Sequence, residues 1–217
     1  MSNTIITLDG PAGVGKSSLA RSLAQQKGLP FLDTGAMFRC IALHFGEQGL
    51  TLTQAELATR LNELQFSLQG VGDSSTLLCN GKAPGNEIRT ETIAALASKY
   101  AAMPAVREYT TQCQQEIGRH FSLVAEGRDT GTVIFPTASN KFFLDASTKV
   151  RALRRQKQLA EQGRNEDLAA LEQQIQARDE QDRNRPIAPL KAAPDAVVID
   201  TSNLNMQEVL AEILKRL

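Results

Sequence analysis

The chain has 217 residues, with 24 basic and 24 acidic side chains and a formal net charge of zero. A dedicated nucleic-acid binder needs a basic excess or stripe, which this balance does not supply. A hydrophobic fraction of 41% supports a packed core for one α/β domain with insertions, and no apolar run approaches the ~20 residues of a membrane span.

Residues 1–3 lead directly into a strand, so no leader is expected. That strand is Thr4-Ile5-Ile6-Thr7-Leu8, short, apolar and β-branched. Gly10-Pro11-Ala12-Gly13-Val14-Gly15-Lys16-Ser17 follows and fits Gly-x-x-x-x-Gly-Lys-Ser/Thr at every fixed position. A helix to about Lys27 comes next and Gly28 closes it. Strand, glycine loop and helix in this order are what a triphosphate cradle requires. Glycines let successive N–H groups point inward, and the helix N-terminus adds partial positive charge. Lys16 is placed to reach the outer phosphates. The Ser17 hydroxyl is placed to ligate Mg²⁺.

Leu29-Pro30-Phe31-Leu32 reads as a second strand ending at Asp33-Thr34-Gly35. A helix is predicted from about Ala36 to Gly49, and Thr53 caps a shorter one through Leu61. Between Leu64 and Arg89 the apolar runs shorten, broken by Gly70, Gly72, Asp73 and the turn pair Asn80-Gly81. This predicts a small antiparallel insertion. Helices are predicted at 90–103, from Pro104 to about Gly118, at 148–161, at 165–184 and at 205–216. Three more apolar strands are Ser122–Ala125, Asn140–Leu144 and Ala196–Ile199. Apolar strands alternating with helices predict a five-stranded parallel sheet covered on both faces. Ligands then bind beyond the carboxyl ends of the strands. The glycine loop, Asp33-Thr34-Gly35 and Glu126-Gly127-Arg128-Asp129 all follow strands and should face one crevice.

The guanine-reading pattern Asn-Lys-x-Asp is absent, since Asn140-Lys141-Phe142-Phe143 ends in Phe, and no Asp-x-x-Gly switch occurs. A GTPase is disfavoured. A kinase for a phosphorylated acceptor needs cations on both sides of the transferred group. Leu168, Leu171, Ile175, Arg178, Asp182 and Arg185 are spaced 3, 4, 3, 4 and 3 and form one helical stripe. Its apolar half should be buried, so Arg178, Asp182 and Arg185 should turn into the crevice, with Arg183 left in solvent. Arg151, Arg154 and Arg155 share a face of the preceding helix. Arginine suits such work because its planar fork binds phosphate bidentately and stays charged. Cys40, Cys79 and Cys113 lack metal-type spacing and are expected to be reduced thiols of a cytoplasmic protein. His44 and His120 stand alone, with structural or surface roles expected.

Taken together, several segments resemble the bacterial cytidylate kinases. They are Gly10–Ser18, Leu32–Arg39, Gly85–Thr90, Glu126–Pro136 and Arg178–Arg185. The resemblance runs the length of the chain, in order. It implies a P-loop NTPase fold with an enlarged acceptor region and a short helical lid. The core would be 1–33 and 90–217, with the lid at about 148–164. The acceptor-binding region would be 34–89, with its antiparallel insertion at about 64–89. The implied reaction moves the γ-phosphoryl of ATP to CMP or dCMP, with Mg²⁺, in pyrimidine nucleotide metabolism. The resemblance assigns ATP to residues 10–17, Ser18 and the lid arginines Arg151, Arg154 and Arg155. It assigns the monophosphate to Thr34, Arg39, Ser98, Arg107, Arg128, Asp129, Arg178, Asp182 and Arg185. Ser98, Arg107 and Asp129 fall where the family reads the cytosine ring. Arg39, Arg128 and Arg185 fall near its phosphate, and Arg178 and Asp182 near the sugar. Lys16, Arg128, Arg154 and Arg185 are the expected catalytic residues. Three positions depart from common family residues: Thr34 for serine, Phe38 for tyrosine and Glu126 for aspartate. A monomer is the default expectation, without membrane or nucleic-acid partners. A P-loop kinase for another acceptor, such as shikimate, and a nucleotide-binding switch without turnover are the competing readings.

Overall fold

The computed structural model describes residues 3–217. Strand β1 (Ile5–Asp9) runs into the glycine loop and helix α1 (Lys16–Lys27). Then come β2 (Phe31–Asp33), α2 (Thr34–Phe45), α3 (Gln54–Leu61) and the hairpin strands β3 (Phe66–Gln69) and β4 (Thr76–Cys79). Helices α4 (Glu91–Tyr100) and α5 (Pro104–His120) precede β5 (Leu123–Gly127), and β6 (Asn140–Asp145) follows. The chain ends with α6 (Thr148–Glu161), α7 (Leu168–Asn184), β7 (Val197–Asp200) and α8 (Met206–Leu214). The expected sheet is present: five parallel strands ordered β2-β5-β1-β6-β7. The register pairs Asp9 with Gly127 and Asp33 with Glu126, so three strand ends lie side by side at one edge.

Two apolar clusters cover the two faces. Ile6, Leu8, Leu19, Leu23, Phe142, Leu144 and Ile213 pack under α1 and α8. Leu32, Met37, Ile117, Leu123, Ala125 and Ile134 pack under α2 and α5. The four-residue strands β3 and β4 form the expected antiparallel hairpin. Its tip docks on α1: Gly72 N–H donates to the Leu29 carbonyl at 2.9 Å and Asp73 N–H to Gln25 Oε1 at 2.9 Å. Asn80 and Gly81 both have positive φ, 51° and 75°. They make the two-residue turn that the dipeptide favours.

Some boundaries differ from the sequence expectation. Helix α2 begins two residues earlier, at Thr34, because the Asp33 carboxylate accepts from Ala36 N–H as its cap. It ends at Phe45, not Gly49, since Gly46 at φ 58° stops it. Helix α4 stops at Tyr100, α5 continues to His120, and α8 covers only Met206–Leu214. Helix α7 starts at Leu168, capped by Asp167, and stops at Asn184, leaving Arg185 in extended backbone. A π-helical turn over Thr130–Ile134 has no counterpart in the sequence reading. No helix among the described residues is long and apolar enough to cross a membrane.

Candidate active site

The glycine loop has the backbone its composition demands. A Cβ on Gly10 would sit 2.1 Å from the Leu144 carbonyl oxygen, and Gly15 caps α1 at φ 93°. Both positions therefore exclude other side chains. Lys16 is buried, and its Nζ donates to the Pro11 carbonyl at 2.7 Å, folding back over the loop. Burial, with Arg128 adding like charge, pulls its pKa down to about 7. Ser17 Oγ donates to Glu126 Oε1 at 2.6 Å. Glu126 is buried and its pKa is raised by burial and by the neighbouring Asp33 carboxylate. A hydroxyl and a carboxylate give an all-oxygen donor pair of the kind a hard divalent cation takes beside substrate phosphates. The Glu126 side chain, one methylene longer than the common aspartate, reaches Ser17.

Opposite the loop stands a network of guanidinium groups. Arg107 holds both Asp129 carboxylate oxygens, at 3.0 and 2.9 Å, and lies over the Phe38 ring at 4.9 Å. Arg185 donates to Asp129 Oδ1 at 3.1 Å. Arg128 Nε donates to Asp182 Oδ2 at 2.9 Å. Burial opposes the Arg128 charge, but Asp182 outweighs it and the pKa is raised. Burial, with Arg107 nearby, pulls Arg185 down to about 10. The buried Nε of Arg178 has no hydrogen-bond partner, and burial and Arg128 lower its pKa. Arg39 donates to the Ile88 carbonyl at 3.0 Å. Thr34 Oγ1 donates to the Glu126 carbonyl at 2.7 Å, and Ser98 is half-buried on α4. The cluster thus holds cations crowded together with less carboxylate than would neutralise them, an arrangement that favours a polyanion.

Not every predicted residue joins it. On α7, Asp182 and Arg185 are buried, Arg178 is half-buried with its Nε inside the cluster, and Asp179, which the stripe did not include, is buried as well. Asp179 pairs with Arg151 Nη2 at 2.5 Å, while Arg151 Nη1 donates to the Ala12 carbonyl at 3.0 Å. Arg151 thus supports the loop from behind. Arg154 turns away, donating to Thr201 Oγ1 at 3.1 Å and to the Thr201 carbonyl at 2.6 Å. Arg155 bridges to Glu91 at the start of α4. Arg183 is half-exposed, 3.9 Å from Asp145, as expected. His44 and His120 contact Glu63 and Glu116 on the surface, and the three cysteines are free thiols. A separate groove between α5 and β3, beside Phe66, Tyr109 and Cys113, includes none of the site residues. Sequence reasoning missed Asp179 and the buried Asp9. The hydrophobic spacing of α7 could have flagged Asp179, which lies four residues after Ile175.

The cytidylate kinase family model matches residues 6–217. The chain belongs to the cytidylate kinase family. A cytidylate kinase of Nitratidesulfovibrio vulgaris is 52% identical over 98% of this chain and 92% of its own length. One of Oleidesulfovibrio alaskensis is 51% identical over 98% of this chain and 97% of its own. A solved structure of an uncharacterized protein from Eubacterium ventriosum shares the fold, at TM-score 0.52 and 11% identity, covering 99% of this chain and 98% of that one. As a member of the cytidylate kinase family the chain is a kinase, and its sheet and loop are those of a P-loop enzyme.

Proposed function

We propose that this kinase transfers the γ-phosphoryl group of ATP to CMP or dCMP, releasing ADP and CDP or dCDP. The observation that carries the proposal is the shared space between donor and acceptor cations. Lys16 Nζ folds over the loop onto the Pro11 carbonyl at 2.7 Å, Ser17 beside it bonds Glu126 at 2.6 Å, and Arg128, two residues on, bonds Asp182 at 2.9 Å, so donor and acceptor cations meet at the end of β5. A phosphoryl group between them would be contacted from both sides.

Residues 10–18 hold the triphosphate, with Lys16 on its outer phosphates. Ser17, with Glu126, would hold Mg²⁺. When bound, the cation neutralises charge on the phosphates. Residues 34–89 form the acceptor-binding region, and the segment at about 148–164 the lid. Arg39, Arg128 and Arg185 take the acceptor phosphate, and Arg178 and Asp182 the sugar. Ser98, Arg107 and Asp129 read the base. The attacking phosphate oxygen is already ionised near neutral pH, so the chain needs no general base. Positioning and charge stabilisation of a loose transition state do the work. Cytosine offers its 4-amino donor to the Asp129 carboxylate, whereas uracil offers an acceptor that the carboxylate repels. Arg151 supports the loop, Arg155 stands at the lid edge, and Arg154 enters the site only if the lid rearranges. A cytoplasmic monomer fits this reading.

Coupled ADP release measured with CMP, dCMP, UMP and AMP tests the proposal. CMP and dCMP should be strongly preferred. Equal use of UMP would remove the role given to Asp129, and no acceptor-dependent release would overturn the reaction.

A further inference from the structure

Asp9 is the last residue of β1, directly before Gly10, and is 3% exposed. Its carboxylate makes three hydrogen bonds in one direction. Oδ1 accepts from Thr130 N–H at 2.9 Å and from Thr130 Oγ1 at 2.8 Å. Oδ2 accepts from Gly131 N–H at 2.8 Å. All three donors belong to the two residues immediately after Asp129.

The backbone at Asp129 needs such an anchor. It leaves β5 at φ −144° and ψ 19° and enters the π-helical turn, whose first N–H groups have no partner within the turn. A buried carboxylate is a strong acceptor for such N–H groups. The Asp129 carbonyl is fixed in turn by Val133 N–H at 2.9 Å and Ile134 N–H at 3.3 Å. The turn is also held close: a Cβ on Gly131 would lie 2.9 Å from Thr7 Oγ1. The Asp129 side chain is therefore aimed by a backbone that Asp9 grips, and Asp9 adjoins the first glycine of the phosphate loop.

We propose that Asp9 is a positioning residue, fixing the base-reading carboxylate of Asp129 in register with the triphosphate loop. The inference rests on the role given above to Asp129. Asp9→Asn keeps the shape but turns one acceptor into an amide donor facing Thr130 or Gly131 N–H. Loss of one buried, charge-assisted bond predicts about a tenfold rise in the KM for CMP and about a tenfold fall in the CMP-over-UMP ratio of kcat/KM. The KM for ATP should move less than that for CMP, since Asp9 touches the triphosphate side only through its charge on Lys16. A merely structural role would lower the active fraction, reducing kcat equally for both acceptors without moving either KM.

Thr130→Val, which removes only the hydroxyl donor, should give a smaller shift of the same sign, and Thr130→Ser should restore it. This pair decides the matter if Asp9→Asn does not fold. Asp129→Ala separates the layers. If it abolishes base discrimination while Asp9→Asn and Thr130→Val leave the ratio and both KM values unchanged, the positioning role is overturned and the Asp129 reading stands. If Asp129→Ala leaves discrimination intact, the base-reading role falls and the inference, which rests on it, falls too.

Discussion

Lys16 has a charge that depends on what lies in the crevice. Its pKa is lowered from the ordinary lysine value to about 7, first by burial and then by Arg128. Below pH 7 the free enzyme carries the proton; well above it the amine is largely neutral. A triphosphate adds negative charge and restores the ammonium. ATP binding should therefore take up protons at pH 8 and almost none at pH 6. Calorimetry in buffers of different ionisation enthalpy measures this, and an uptake unchanged between the two pH values, or retained in Lys16→Met, would refute the depressed lysine. Lys16→Ala and Arg185→Ala should each lower kcat by more than about 100-fold, the scale of losing a transition-state charge stabiliser. Near-normal turnover in both would remove the proposed chemistry.

Helices α6 and α7 are joined by the buried pair Arg151–Asp179 above an apolar seam of Ala152, Leu159, Leu171 and Ile175. Removing one partner strands the other without solvent. Asp179→Ala should cost about 3–5 kcal/mol in urea unfolding, whereas the double change Arg151→Met, Asp179→Leu should recover much of it. A loss below about 1 kcal/mol in the single variant would show that the pair is dispensable. The same two residues show what the sequence could and could not reveal. The five strands were legible because each is a short apolar run, β-branched in β1 and β7, whose sheet partners need not be known. The α7 stripe was legible in part: periodicity placed Leu171, Ile175 and Asp182 inside. It could not show that Asp179 is buried as well, because that depends on Arg151, 28 residues away. Spacing put Arg154 on one face with Arg151 and Arg155 and only the resemblance made it a lid arginine, but its carbonyl acceptors at Thr201 and Leu204 lie about fifty residues on. Asp9 was silent for the same reason, its partners being more than 120 residues distant. Local pattern encodes burial; long-range hydrogen bonding decides which polar residue uses it.

At the scale of the whole molecule, Arg155 on α6 meets Glu91 at the N-terminus of α4, joining the proposed lid to the helix that carries Ser98. Both side chains are partly exposed, so the pair adds little stability. Its place suggests an effect on water access instead. With both substrates needed for full closure, ATP hydrolysis without CMP should run at least about 100-fold slower than transfer. Glu91→Gln should raise that leak without changing the melting temperature by more than about 2 °C, as expected for a weak surface pair. A hydrolysis rate comparable with transfer in the unmodified enzyme would rule out gating.

The hairpin of β3 and β4 looks in sequence like a detachable ornament. Its tip, however, takes the Leu29 carbonyl and the Gln25 amide as its own partners, and a Cβ on Gly72 would strike Gln25. Gln25 lies on the helix that begins with Lys16, the lysine proposed to reach the phosphates. A minimised enzyme made by trimming residues 66–79 would thus take these partners from the Gln25 side chain in the last turn of that helix and from the Leu29 carbonyl just beyond it. Grafting a different acceptor hairpin onto this scaffold would succeed only if the graft brought along a glycine at the docking point.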